Sequence, residues 1–160
     1  MRRRAGFTLI ELCTVILILG IVAAAALPSL ADTAIRRERL RSAARRLQSL
    51  ARLARTSAAA SRRGHLLLID PSAGTARVVD PQPAGFRQLA GFTLPDGIRF
   101  RSAPSLSGQQ GNGFAIAFDP EGWARPAFLR LEDSSGHAIT ISIDGPTGRA
   151  EVHDEDLHAQ

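Results

Sequence analysis

The chain opens with a dense apolar block, passes into a helical stripe, and ends in short alternating runs. From Phe7 to Leu27 the residues are overwhelmingly apolar and the single charge is Glu11. A helix of these 21 residues is long enough to cross a hydrocarbon layer of about 30 Å. Pro28 follows, and a ring residue without an N–H predicts a kink there. Beyond it, Leu40, Ala44, Leu47, Ala51, Ala54 and Ala58 recur at three- and four-residue steps, with Ala43 and Leu50 beside them. That is the apolar stripe of an amphipathic helix. No Gly or Pro lies between residues 29 and 63, and Gly64 stands where a C-cap is expected. One helix from Phe7 to Arg63 would be about 85 Å long, with its first half in lipid and its second against a globular domain.

From His65 the texture changes. Candidate strands are His65–Asp70, Thr75–Asp80, Ile98–Arg101, Phe114–Asp119, Ala127–Glu132, Ala138–Asp144 and Arg149–His153. Between them lie turn formers: Pro71-Ser72-Ala73-Gly74, Asp96-Gly97, Pro120-Glu121-Gly122, Ser134-Ser135-Gly136 and Gly145-Pro146-Thr147-Gly148. Ile139, Ile141 and Ile143 alternate with Thr140, Ser142 and Asp144, as in a half-buried strand. Short, closely spaced strands predict antiparallel hairpins with the amphipathic helix over one face, an α+β architecture. Ser102–Gly113, rich in Ser, Gly and Gln and without apolar periodicity, reads as a mobile loop.

Composition sharpens this picture mainly through charge. The chain has 160 residues, 44% of them hydrophobic, and a net charge of +5. Residues 1–63 carry thirteen Arg against Glu11, Asp32 and Glu38, a balance of +10. Residues 64–160 carry seven Arg against twelve acids, a balance of −5. The basic character belongs to the helix, not to the β domain. Cys13 is the single cysteine, so no intramolecular disulfide forms, and within an apolar run it reads as a small packing residue.

A basic start at Arg2, Arg3 and Arg4 followed by an apolar run fits three readings. One is a cleaved signal peptide ending at Ser29-Leu30-Ala31, and another is a plain single-pass anchor. Each must account for Glu11, because a carboxylate at bilayer depth costs about 2.5–3.5 kcal/mol. The third reading comes from the sequence around that acid. Gly6-Phe7-Thr8-Leu9-Ile10-Glu11-Leu12 behind a basic leader resembles the N-terminal signature of the type IV pilin and type II secretion pseudopilin superfamily.

The resemblance implies a pilin-like fold, with a long N-terminal helix packed on a C-terminal antiparallel sheet domain. It implies cleavage between Gly6 and Phe7 by a prepilin peptidase on the cytoplasmic face, and methylation of the new Phe7 amine. It further implies that Glu11 pairs with the Phe7 amine of a neighbouring subunit during assembly. The physics agrees: an α-amine titrates near 7.7–8.0 and is largely charged at neutral pH. Two charges that are each costly in lipid neutralise one another when subunits meet. The implied organisation is a leader over 1–6, a transmembrane and assembly helix over 7–30, an amphipathic continuation over 31–63, and a β domain over 64–160.

A second resemblance covers the β domain. Phe118-Asp119-Pro120-Glu121-Gly122, Leu129-Arg130-Leu131, and the run from Ile141 to Val152 containing Thr147-Gly148 are similar to the GspH/FimT-type domain. That group holds the H-type minor pseudopilin of type II secretion and the FimT-type minor pilin. The first implies a structural subunit at or near the tip of a pseudopilus that exports folded proteins. Its partners would be other minor and major pseudopilins, the prepilin peptidase and the inner-membrane assembly platform. The second implies pilus assembly or DNA uptake, with binding attributed to a C-terminal Gly-Arg-x-Arg motif. Here that stretch reads Gly148-Arg149-Ala150-Glu151, with an acid in place of the second Arg, and continues to Asp154-Glu155-Asp156. Phosphate binding needs clustered positive charge, so nucleic acid is an unfavoured partner.

Arg36, Arg37, Arg39, Arg41, Arg45 and Arg46 outnumber the leader arginines, and the positive-inside rule alone would reverse the orientation. The cleavage motif decides for a cytoplasmic N-terminus, an inner-membrane span and a periplasmic C-terminal domain. The helix arginines read as a solvated or intersubunit face, with lipid headgroups and nucleic acid as the sharper alternatives. No catalytic motif, cofactor loop or metal-ligand spacing is present in the sequence. His65, His137, His153 and His158 read as solvent-facing, and Asp154-Glu155-Asp156 as a solvated tail rather than a calcium site.

Overall fold

The computed structural model describes residues 8–102, 109–110 and 113–155, with side chains placed except at 23–33, 102, 109–110 and 155. The chain divides into two compact units, one through Arg36 and one from Arg37 onward. Both draw on a single helix, α1, which runs over Leu9–Ser61.

In the first unit the helix presents apolar side chains on every side. Leu9, Ile10, Leu12, Val15, Ile16, Leu17, Ile18, Leu19, Ile21 and Val22 are all exposed, as is Cys13. A helix that is apolar all round belongs in a core or a bilayer, not in water. Cys13 therefore does not pack within the chain. Among the described residues no helix is long and apolar enough to cross a membrane. The helix is continuous through Pro28. The far end of the apolar run lies where side chains are not described.

In the second unit the expected stripe is the buried face. Leu40, Ala43, Ala44, Leu47, Leu50, Ala51, Ala54 and Ala58 join one core with side chains from two antiparallel sheets. Five of these eight are alanines, which let a helix backbone approach a sheet closely while Leu40, Leu47 and Leu50 fill the spaces. The first sheet contains β1 (His65–Asp70), β2 (Thr75–Gln82), β3 (Gly85–Thr93), β5 (Gln109–Gln110) and β6 (Gly113–Phe118), in the order β3-β2-β1-β6-β5. The second contains β4 (Ile98–Ser102), β7 (Ala127–Asp133), β8 (Ala138–Ile143) and β9 (Ala150–Glu155), in the order β4-β7-β8-β9. The inward residues alternate along β1, β7 and β8, as in Ile139, Ile141 and Ile143, while a register shift at Val78 and Val79 interrupts the alternation in β2.

Three features correct the sequence reading. The helix ends at Ser61, not Arg63, and its left-handed residue is Arg62, with φ 52°. The amide of Arg63 donates to Ala58 O at 3.3 Å, which closes a Schellman-type cap with Arg62, not Gly64, at the strained position. Replacing Arg62 by glycine is expected to raise stability by about 1 kcal/mol, the left-handed penalty of a Cβ. A urea midpoint measured by pulse proteolysis checks it. Second, β3 is a strand that the pattern did not mark: it is an edge strand exposed over Gly85–Leu89, and only Ala90 and Phe92 turn partly toward the core. Third, Gln109–Gln110 pair with Phe114 and Gly113, so part of the expected mobile loop is strand; residues 103–108 and 111–112 lie outside the described residues.

The turns share one construction. Asp70, Asp133 and Asp144 each accept amide hydrogen bonds from residues two to four positions on, through Oδ1 in the first two and Oδ2 in the third. Gly74, Gly136 and Gly148 then take positive φ at the far end of the same turns. Aspartate substitutes for a backbone acceptor, and glycine turns the chain back.

Candidate assembly site

The residues expected to carry function sit at the start of α1. Gly6 and Phe7, the expected cleavage and methylation positions, lie outside the described residues. Thr8 is the residue before the helix, and its Oγ1 accepts from the Glu11 amide at 3.3 Å. The Thr8 carbonyl also accepts from Glu11 and Leu12, at 3.1 and 3.2 Å. Thr8 is therefore the N-cap and Glu11 the third helical residue, the spacing of a capping box. Sequence reasoning missed this role for Thr8, although the Thr-x-x-Glu signal was there to find.

Glu11 consequently stands in the first turn, where the helix dipole favours a negative charge. Among the described residues its carboxylate has no partner within the chain, and its neighbours Leu9, Ile10, Leu12 and Val15 are exposed. The chemistry on offer is one acceptor of positive charge on an apolar rod.

The helix arginines are divided in their use. Arg37 reaches His137 Nε2 at 2.8 Å, Arg41 pairs with Asp154 at 2.7 Å, and Arg45 pairs with Glu38. Asp154 is thus tied to the helix from strand β9, not part of a free acidic tail; Asp156 and His158 lie outside the described residues. His153 is exposed as expected and meets Ser142 Oγ at 2.8 Å. His65 and His137 correct the expectation of solvent-facing histidines. His65 is buried with Nδ1 3.0 Å from the Arg63 carbonyl, and His137 is half-buried in the β7–β8 turn. His137 was not legible locally, because its Arg37 partner is brought in by the fold, whereas His65 shares the inward side of β1 with Leu67 and Ile69.

The helix C-terminus is locked by a buried carboxylate. Asp80 is almost fully enclosed, with Arg63 at 2.9 Å, Arg87 at 3.2 Å and Gln82 Nε2 at 2.6 Å. Burial works to raise its pKa, but Arg63, the Gln82 amide, His65 and Arg87 together hold it below the ordinary 3.8. Asp133 is likewise enclosed and likewise lowered: burial is outweighed by the hydroxyl and amide of Ser135, the His137 amide and the nearby imidazole. In Asp70 the Ser72 hydroxyl and Ala73 amide lower it. A carboxyl lowered on folding stabilises the fold above its unfolded pKa, and that contribution disappears as pH falls through the folded value. The contribution is therefore expected to be constant above about pH 5 and to vanish progressively below about pH 4. Urea midpoints across that range read the loss directly.

Near the C-terminal end of the helix, beside Arg55, the turns before β7 and before β9 meet. The Ala124 amide donates to Gly145 O at 2.9 Å, and a Cβ on Gly148 would stand 2.2 Å from Gly122 O and 3.3 Å from Arg55 Cδ. Arg149 and Glu151 beside it are both exposed. Among the described residues no group of three or more His, Cys, Asp or Glu could hold a metal ion.

Comparison with known proteins bears on both parts of the chain. Residues 1–27 match the prokaryotic N-terminal methylation motif. No curated protein matches the chain in sequence. Among solved structures, the minor pseudopilin EpsH of the Vibrio cholerae type 2 secretion system is similar, with a TM-score of 0.56 at 12% identity, over 72% of this chain and 96% of that one. The type IV minor pilin FimU of Pseudomonas aeruginosa is similar too, with a TM-score of 0.56 at 14% identity, over 73% of this chain and 90% of that one. With an N-terminal methylation motif that runs into a helix packed on antiparallel sheets, the chain has the fold of the minor pseudopilin EpsH and the minor pilin FimU.

Proposed function

We propose that the chain is a minor pseudopilin, a structural subunit at or near the tip of a type II secretion pseudopilus that acts in the export of folded proteins. The observation that carries this reading is Glu11: an acid with no partner among the described residues, in the first turn of a helix with exposed apolar residues on every side. Such a residue is satisfied only by a cation supplied from outside. A Phe7 amine, freed by cleavage after Gly6 and methylated, is that cation on a neighbouring subunit. Phe7 to Leu27 then spans the inner membrane with the N-terminus cytoplasmic and the β domain periplasmic, and Pro28 marks the kink between span and domain. The partners are other minor and major pseudopilins, the prepilin peptidase and the assembly platform. The β domain needs no cofactor or metal for this role.

In cells with an active prepilin peptidase, the membrane-bound protein should begin at a methylated Phe7, read by N-terminal sequencing and mass spectrometry. Glu11→Ala should leave membrane insertion intact and reduce incorporation into fibres more than tenfold, since removing one partner of a desolvated pair costs about 3–5 kcal/mol. A chain still starting at Met1, or normal incorporation of the variant, would overturn the reading.

The similarity to FimU favours a second reading, a FimT-type minor pilin used in pilus assembly or DNA uptake. A deletion strain separates the two: loss of exoprotein export with pili intact supports secretion, and the reverse supports the pilus. Arg149 followed by Glu151 instead of a second basic residue argues against direct DNA binding.

A further inference from the structure

The β7–β8 turn holds a hydrogen-bonded chain that neither processing nor subunit pairing uses. Arg37 Nη2 lies 2.8 Å from His137 Nε2. A guanidinium has no acceptor, so Nε2 must accept, and the proton of the neutral ring sits on Nδ1. Nδ1 is 2.9 Å from Ser135 Oγ, and that hydroxyl is 2.6 Å from Asp133 Oδ1. The amides of Ser135 and His137 donate to the same Oδ1, at 2.8 and 3.0 Å. Each link in the series Arg37, His137, Ser135, Asp133 thus joins a donor to an acceptor. An acceptor is left over: Asp133 Oδ2 is buried without a hydrogen-bond partner among the described residues, 3.8 Å from His137 Nδ1. A buried carboxylate oxygen with nothing to accept is costly, and a charged donor beside it would remove that cost.

We propose that His137 is a proton-operated latch between α1 and the β7–β8 turn, closed on Arg37 when the imidazole is neutral and transferred to Asp133 when it is charged. The neutral ring can accept from Arg37; the imidazolium cannot, because both of its nitrogens donate. On taking one proton from solvent, Nε2 meets Arg37 as donor against donor and charge against like charge. Nδ1–H then gains the free Oδ2 by a shift of about 1 Å, forming a charge-assisted bond. The release falls at Arg37, the first residue of the compact unit that holds the β domain.

The surroundings leave the imidazole as the group that decides. From α1, Arg41 is engaged by Asp154 of β9. From β4, Arg99 stands opposite Glu132 in register. Asp133 is the carboxylate of the turn itself. Carboxylates titrate below the histidine range, and guanidinium groups do not titrate there at all.

The test uses the full chain in detergent micelles. At pH 8, long-range proton–nitrogen spectra of His137 should show the Nδ1–H tautomer. Between pH 8 and 5, the amide exchange of Leu40 and Arg41, corrected for its intrinsic pH dependence, should rise about tenfold with the midpoint of the ring signal, as expected for one lost charged hydrogen bond. In Arg37→Ala, an exposed substitution expected to leave the fold intact, the ring should still titrate while the exchange step disappears. An Nε2–H tautomer at pH 8, exchange that ignores the ring, or an unchanged step in the variant would each overturn the latch.

Discussion

Gly148→Ala is expected to lose about 3–5 kcal/mol of stability, combining left-handed strain with overpacking. Gly148 takes φ +60°, and its added Cβ would meet the Gly122 carbonyl oxygen at 2.2 Å. No real contact is that short, and the atom in the way belongs to a backbone, not to a flexible side-chain end. Gly122 is itself at φ +83° and packs against Arg55, so relief means moving a second glycine turn or lifting both off the helix. Gly136→Ala is the control: it takes φ +88°, but a Cβ there meets nothing within 4 Å. It should show the backbone penalty alone, about 1–2 kcal/mol. Equal losses at the two positions would refute the steric part of the account.

The second large effect is expected at Leu47. Its side chain is fully buried at the centre of the helix face, in the cluster that also holds Leu67, Phe118, Leu131 and Ile141. Truncation to alanine removes that packing and leaves a cavity between the helix and the sheets, which costs about 2–5 kcal/mol. Leu53, six residues on and 36% exposed, should tolerate the same change within about 0.5 kcal/mol. Pulse proteolysis in urea measures both. On the proposed role as a fibre subunit, the Leu47 variant should also reduce incorporation without touching Glu11.

These expectations place the two roles of α1 in separate stretches. The first carries the acid and the exposed apolar surface; the second carries the alanine-rich face that positions the β domain. The latch would act within the second stretch, at Arg37.

Much of this was readable along the chain. The stripe from Leu40 to Ala58 announced its buried face because helical periodicity is a local property. The turns announced themselves because an aspartate and a glycine do their work within a few residues. Seven strands were marked within two or three residues of their ends. β3 was not, since the exposed first half of an edge strand carries no alternation, and Gly91 between the two half-buried residues Ala90 and Phe92 argues against a strand. The cap at Arg62 was misplaced to Gly64 because glycine is the usual left-handed residue and arginine is not.

The sequence by itself determined the apolar rod, its single acid and the methylation motif, since those depend on composition and spacing over a few dozen residues. Only the tertiary structure decided which charges were paired. Arg37 meets His137, Arg41 meets Asp154, and Arg63 meets Asp80 across separations of 100, 113 and 17 residues. Electrostatic partners are chosen by distance in space, and a chain of one dimension does not record that distance.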